Sequence, residues 1–320
     1  MSAGPAGAAP SPCGRRGPGG AGAQQLLRSN YNHLMSQSVT LTTRPDGVAV
    51  LTFDQPGSKA NVLTRELWTE FSEALTALAT RTDLKGLVLA SAKPGIFIAG
   101  ADLKLLANAP TPNDPEVRAF IEQGLRVLEQ LESLPFPTCA AIDGAALGGG
   151  LEVALACDLR ICGTNPKVQL GLPEVKLGLI PGWGGTQRLP RILDMNRMHR
   201  ASDMLTTGKN LDYHAAVAHE ITDVAVESST LVEQAVYYVL RVDRKNRREQ
   251  KRNAIPKGDW ERFQLLQEVT GAAAEAVRVM VEGAAIPLYD AIKLETEAFM
   301  RLAGSDESKR LIAEFFNRKK

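Results

Sequence analysis

The apolar positions of this chain change period along its length, and each change marks an element. Two extended runs, VTLTTRP (39–45) and VAVLTFD (48–54), meet at Asp46-Gly47, which predicts a β-hairpin. Beyond it, Thr64 is placed to cap a helix whose apolar face is Leu67, Phe71, Ala74, Leu75 and Leu78. GLVLASA (86–92) is short and carries no charge, as a buried strand requires. Asp114-Pro115 opens a second helix, striped by Val117, Phe120, Ile121, Leu125, Leu128 and Leu131. TCAAID (138–143) and DLRIC (158–162) predict two more strands, with a glycine run between them. Strand and helix alternating in this way predict an α/β protein. From about residue 190 the strand signal fades, and helices are expected at 229–241, 259–282 and 285–303.

Composition narrows the class. The 320 residues suffice for one large domain or two small ones, and a net charge of +1 gives no general attraction to nucleic acid or acidic membranes. No apolar run reaches the length of a membrane span. The four cysteines, Cys13, Cys139, Cys157 and Cys162, lack CxxC spacing, and three lie in apolar segments; they read as buried thiols of a reducing compartment. Residues 1–37 stand apart: rich in Ala, Gly, Pro and Ser, with Arg15, Arg16 and Arg28 and no acid before Asp46. A disordered tail, or a start preceding the true one at Met35, is favoured over a transit peptide, because Pro and Gly oppose an amphipathic helix. The expected compartment is the cytoplasm, with the mitochondrial matrix as the alternative.

Candidate chemistry sits in three segments. In ALGGGLEVALACDLR (146–160), Gly148–Gly150 leave a strand and open a helix, so their N–H groups lie where the helix dipole favours negative charge. The run is no P-loop, since no Gly-Lys-Ser/Thr follows. Two readings stand: tight helix–strand packing, or donors to an oxyanion. Ala99, Gly100 and Ala101 form a second small-residue turn with the same two readings. Glu152, among Leu151, Val153, Ala154 and Leu155, is an acid on an apolar helix, and Glu174 in QLGLPEVKLGL (169–179) is similarly flanked. Each alone suits local hydrogen bonding. Two such acids near an oxyanion site suit general acid–base catalysis, burial and repulsion setting their pKa values apart. The four histidines, His33, His199, His214 and His219, have no GxSxG partner and no metal-ligand spacing, so neither a Ser–His triad nor a metal site is expected.

IAGADLK, AAIDGAALGGGLEVALACDLRIC and LGLPEVKLGLIPGWGGTQRL, in this order and spacing, resemble the signature blocks of the enoyl-CoA hydratase/isomerase (crotonase) family. The resemblance covers about residues 38–225 and continues more weakly beyond, towards the hydratase part of the multifunctional fatty-acid oxidation protein. It implies a crotonase-like spiral of repeated ββα units in 38–225 and a helical, linker-like region in 226–320. It assigns the oxyanion donors to the N–H groups of Ala101 and Gly149, and the catalytic acids to Glu152 and Glu174. The CoA-binding positions it implies are Lys59 and Ala60 in SKAN, with Ala99, Asp102, Leu103 and Lys104. With both acids present, hydration of a trans-2-enoyl-CoA in fatty-acid β-oxidation is the expected reaction, Δ3–Δ2 isomerisation a second activity, and no cofactor beyond the substrate's CoA is implied. The resemblance further implies a homo-oligomer, trimer or hexamer. With no dinucleotide fingerprint in the sequence, the dehydrogenase step is expected of a separate 3-hydroxyacyl-CoA dehydrogenase.

Two rivals follow from the same residues. One is a crotonase fold acting on another acyl-CoA. The other is RNA or partner binding through RVDRKNRREQKRN (241–253), with seven Lys or Arg. Asp243 and Glu249 interrupt that run and no aromatics interleave it, so nucleic acid is disfavoured and a solvated helix face or linker is expected.

Overall fold

A computed structural model describes residues 38–193, 198–255 and 269–318. The N-terminal 1–37 segment, with Cys13 and His33, and the expected helical stretch 259–268 lie outside the described residues. Ser36–Lys320 is one compact unit.

The chain begins with the hairpin, β1 (Val39–Thr43) and β2 (Val48–Phe53), antiparallel and turned at Gly47 with φ +84°. Helix α1 (Arg65–Ala79) follows, its Leu67 N–H capped by the Thr64 side chain. Next come β3 (Gly86–Ser91), β4 (Ile96–Ile98), the short α2 (Leu103–Ala107) and α3 (Pro115–Ser133), capped by Asp114. Then β5 (Thr138–Ile142), β6 (Ala145–Leu147), α4 (Gly149–Ala156), β7 (Leu159–Gly163) and β8 (Gln169–Gly171) lead to a 3-10 turn, Pro173–Leu177. Beyond it are α5 (Gly185–Ile192), α6 (Met198–Thr207), α7 (Tyr213–Ala218) and β9 (Val224–Val226). The last described helices are α8 (Leu231–Val239), α9 (Arg244–Arg252), α10 (Gly271–Ala284), α11 (Leu288–Leu302) and α12 (Asp306–Arg318).

Two sheets result. The larger runs β1-β2-β3-β5-β7-β9, parallel except at the hairpin, and the smaller runs β4-β6-β8, all parallel. Alternation along the large sheet's strands separates two cores. Val48, Val50, Val88, Cys139, Ala141 and Ile161 pack under α8, whereas Leu51, Phe53, Leu87, Leu89, Ala140 and Ile142 face the main core. Burial on both faces accounts for strands that read as unbroken apolar runs. Three sequence expectations change. Residues 143–148 are not simply a loop into the glycines, because β6 intervenes and belongs to a second sheet. The region after residue 190 supplies β9 to the large sheet. On α3, Val127 is buried where Leu125 is only half-buried, a shift of the stripe around the helix.

The basic run is the largest correction. Its helix α9 lies against the α/β body: Arg248 Nε bonds Asp158 Oδ1 at 3.1 Å and Arg247 Nη2 bonds Asp223 Oδ1 at 2.6 Å. Buried Lys251 donates to the carbonyls of Leu155 and Cys157 at the carboxyl end of α4, where the dipole favours a cation. The run is therefore neither a linker nor a wholly solvated face; Lys245 and Arg252 remain exposed.

Candidate active site

Three segments far apart in sequence leave the carboxyl ends of three neighbouring parallel strands. Ile98 of β4 pairs with Ala146 of β6, and Leu147 of β6 pairs with Gly171 of β8. Beyond these ends follow Ala99-Gly100-Ala101, Gly148 with α4, and the turn bearing Glu174. A crevice outside the carboxyl ends of parallel strands is where α/β sheets bind ligands. A cavity of about 490 Å³ occupies it. Ala99, Ala101, Leu103, Gly149, Glu152 and Glu174 all line it; apolar walls come from Phe120, Leu179, Trp183 and Phe299, and from Leu311 and Phe315 of α12.

Each glycine of the run has a steric reason. Gly148 has φ +53°, and a Cβ there would lie 2.6 Å from Glu174 Oε1. A Cβ on Gly149 would meet the Trp183 ring at 2.5 Å and Leu63 Cδ1 at 2.7 Å; on Gly150 it would meet the Ile98 carbonyl oxygen at 2.1 Å. Close packing and ligand access thus coexist. Gly149 is the first residue of α4, so its N–H has no acceptor within the helix. At the other donor, Leu63 N–H bonds the Gly100 carbonyl at 2.9 Å, and Asp102 N–H bonds the Leu63 carbonyl at 3.0 Å. This parallel bridge uses the groups on either side of Ala101 and leaves its own N–H out of the ladder. Two backbone donors therefore border one cavity.

Glu152 is 1% exposed, and its Oε1 accepts from the N–H groups of Trp183 and Gly185, both at 2.7 Å. Its Oε2 is buried and has no hydrogen-bond partner. Burial, then the like charges of Glu295 and Glu174, holds its pKa well above the glutamate range against those two N–H bonds. Glu174 is half-buried with its Oε2 also unpartnered, and burial with Glu295's charge pushes it up to about 8. A buried carboxyl oxygen lacking a partner is costly, and two on one cavity mark a place for a hydrogen-bonding guest such as water.

The other expected positions are not gathered here. Lys59 is exposed, Ala60 sits in a loop closed by the Ser58 hydroxyl bonding its carbonyl at 2.7 Å, and Asp102 caps α2 by accepting from Lys104 N–H at 3.0 Å. None of Lys59, Ala60, Asp102 and Lys104 lines the cavity. What fixes this loop is fully buried Asn61, donating to the Phe53 and Phe97 carbonyls and accepting from Gln55 N–H. Among the described residues no group of three His, Cys, Asp or Glu is placed to hold a metal, and no helix is long and apolar enough to cross a membrane.

Sequence reasoning missed Trp183 and Glu295. Trp183 donates its indole N–H to the Ile121 carbonyl at 3.0 Å and meets Trp68 and Phe120 edge-on. Glu295 occupies a stripe position of α11, between Ala291, Ile292 and Phe299, an acid where periodicity calls for an apolar residue.

A family model described as Enoyl-CoA hydratase/isomerase matches residues 43–252. The chain belongs to the enoyl-CoA hydratase/isomerase family. Fatty acid oxidation complex subunit alpha of Shewanella halifaxensis is 38% identical over 296 residues, covering 88% of this chain and 41% of that one. The chain thus spans less than half the length of that curated relative. An enoyl-CoA hydratase of Bacillus anthracis matches in structure at TM-score 0.58 and 28% identity, over 89% of this chain and 97% of its own. Human mitochondrial delta3-delta2-enoyl-CoA isomerase shares the fold, at TM-score 0.66 and 24% identity over 88% of this chain and 98% of its own. The crotonase fold of this family is the α/β architecture described above.

Proposed function

We propose that the chain hydrates trans-2-enoyl-CoA thioesters to 3-hydroxyacyl-CoA, as a step of fatty-acid oxidation. The observation that carries this is the meeting of Glu152, Glu174 and the Ala101 and Gly149 N–H groups on one cavity. The thioester oxygen accepts from those two N–H groups, which stabilise the enolate charge formed during addition. One water sits between the two acids, whose outer oxygens lack partners. Its oxygen attacks C3, one glutamate takes its proton, and the other gives a proton to C2, so one water is added and the pair's proton count is restored. No cofactor beyond the CoA of the substrate is needed. Lys59, Ala60, Asp102 and Lys104 lie outside the cavity, consistent with contact to the CoA rather than to the reacting carbons.

The same acids suit proton transfer between C2 and C4, so Δ3–Δ2 isomerisation of 3-enoyl-CoA is a second activity. Of the rival readings, RNA binding loses its main support where α9 directs Arg247, Arg248 and Lys251 into the protein. The assembly we favour is a trimer or hexamer, with a separate 3-hydroxyacyl-CoA dehydrogenase to consume the product. Cys139, Cys157 and Cys162 are buried free thiols, in keeping with the cytoplasm or the mitochondrial matrix.

The pH profile of hydration tests the acid–base assignment. Glu174 at about 8 binds a proton below that pH, and the pair then lacks a base. kcat is therefore expected to rise by about tenfold per pH unit on the acidic side and level near pH 8. The check is initial-rate kinetics on enoyl-CoAs of four to sixteen carbons, with a 3-enoyl-CoA alongside; a kcat that is flat or falls as pH rises from 6 to 8 contradicts it.

A further inference from the structure

Four consecutive amides, residues 183–186, are divided in alternation between two buried carboxylates. Trp183 and Gly185 donate to Glu152 Oε1, both at 2.7 Å. Gly184 donates to Glu295 Oε1 at 2.5 Å, and Thr186 donates to Glu295 Oε2 from its N–H at 2.8 Å and its hydroxyl at 2.5 Å. Glu295 is 0% exposed and does not line the cavity. It comes from α11, over a hundred residues beyond the glycines, yet it grips the same turn that orients Glu152. The turn has no local cap of its own: Gly184 is left-handed at φ +92°, and no side chain caps α5 from position 184.

We propose that Glu295 is a positioning residue for the hydration site: by holding the Gly184 and Thr186 amides it fixes the Trp183 and Gly185 amides, which pin one oxygen of Glu152 and leave the other aimed at the reacting water. This rests on the acid–base reading of Glu152 and Glu174. The charged groups acting on Glu295 are Glu152 from α4, Glu174 from the 173–177 turn, and Arg188 and Arg191 from α5. Its negative charge in turn raises both Glu152 and Glu174. Glu295 itself is pushed up to about 7 by burial, opposed by the Thr186 and Gly184 bonds and by Arg188.

Glu295→Gln preserves size and removes the charge, and its amide nitrogen cannot accept from Thr186 and Gly184 together with the remaining oxygen. Its kcat for hydration is expected to fall by about tenfold or more while KM holds within about twofold, since misplacing a reacting group costs rate rather than binding. Losing the like charge lowers the pKa of both working acids, so the rise of kcat moves to lower pH. A residue that only supported the fold would lower the amount of active enzyme without moving that pH. Glu152→Gln is assayed beside it: wild-type hydration in Glu152→Gln overturns the acid–base reading itself. An inactive Glu152→Gln with a Glu295→Gln enzyme of wild-type kcat and unmoved pH profile overturns the positioning role alone. If Glu295→Gln is recovered unfolded, Thr186→Val decides: it removes the hydroxyl bond to Glu295 and the bond the hydroxyl accepts from the Gln187 amide, whose nitrogen keeps the Val279 carbonyl; reduced kcat at constant KM supports the role, and unchanged kcat overturns it.

Discussion

Glu174→Gln is expected to lower kcat for enoyl-CoA hydration by about 10²-fold or more with KM little changed. The amide matches the carboxyl in shape but can neither take the water's proton nor return one. The fold is expected to survive, and to gain. Glu174 is raised to about 8 against an ordinary value of 4.5, so between those values the folded protein holds a proton that the unfolded chain gives up. Stability from this group is therefore full below 4.5 and is lost as pH rises through about 8. Gln carries no such penalty, and the variant is expected to melt about 2 °C or more above the wild type at pH 8, with the difference vanishing near pH 4. Loss of turnover together with a higher melting temperature identifies a site residue kept at the expense of stability. Turnover near the wild-type rate overturns the assignment.

The largest stability effect is expected at Arg188. Its side chain is 1% exposed and binds Glu132 through two bonds of 2.9 Å, and its Nη1 donates to the Trp183 carbonyl at 2.6 Å. Among the described residues, Arg188→Met leaves the buried Glu132 carboxylate with only the Tyr289 hydroxyl at 3.5 Å and strips the Trp183 carbonyl of its Arg188 donor. Removing one partner of a buried ion pair costs about 3–5 kcal/mol, which corresponds to a drop of roughly 10 °C in melting temperature. Adding Glu132→Leu removes the stranded charge and is expected to restore much of the loss. Thermal unfolding followed by circular dichroism reads both variants; a single variant within about 1 kcal/mol of the wild type contradicts the account.

The parts of the fold legible in the sequence are those with local chemistry. Asp46-Gly47 turns the hairpin, Thr64 and Asp114 cap their helices, and long stripes identify α1 and α3. The small sheet was not legible, because three-residue strands such as β6 and β8 are too short to display an alternation. That sheet nevertheless brings 99–101, 148–149 and 174 together, so the site's residues could be named from motifs while the reason for their meeting could not. Charge misled where composition stood in for geometry: the run 241–253 looks solvated, but Lys251 and Arg248 answer carbonyls and an acid about 90 residues earlier. Glu295 was visible only as an acid in an apolar stripe, a signal without a partner until α11 is packed against α5.

The most direct test of the central claim is hydration of a trans-2-enoyl-CoA in oxygen-18 water, with the product read by mass spectrometry. The account predicts 3-hydroxyacyl-CoA carrying the heavy oxygen at C3 with the wild-type chain, and labelled product formed about 10²-fold or more slowly with Glu152→Gln or Glu174→Gln. Label-free product, or no hydration by the wild type at any chain length, contradicts it.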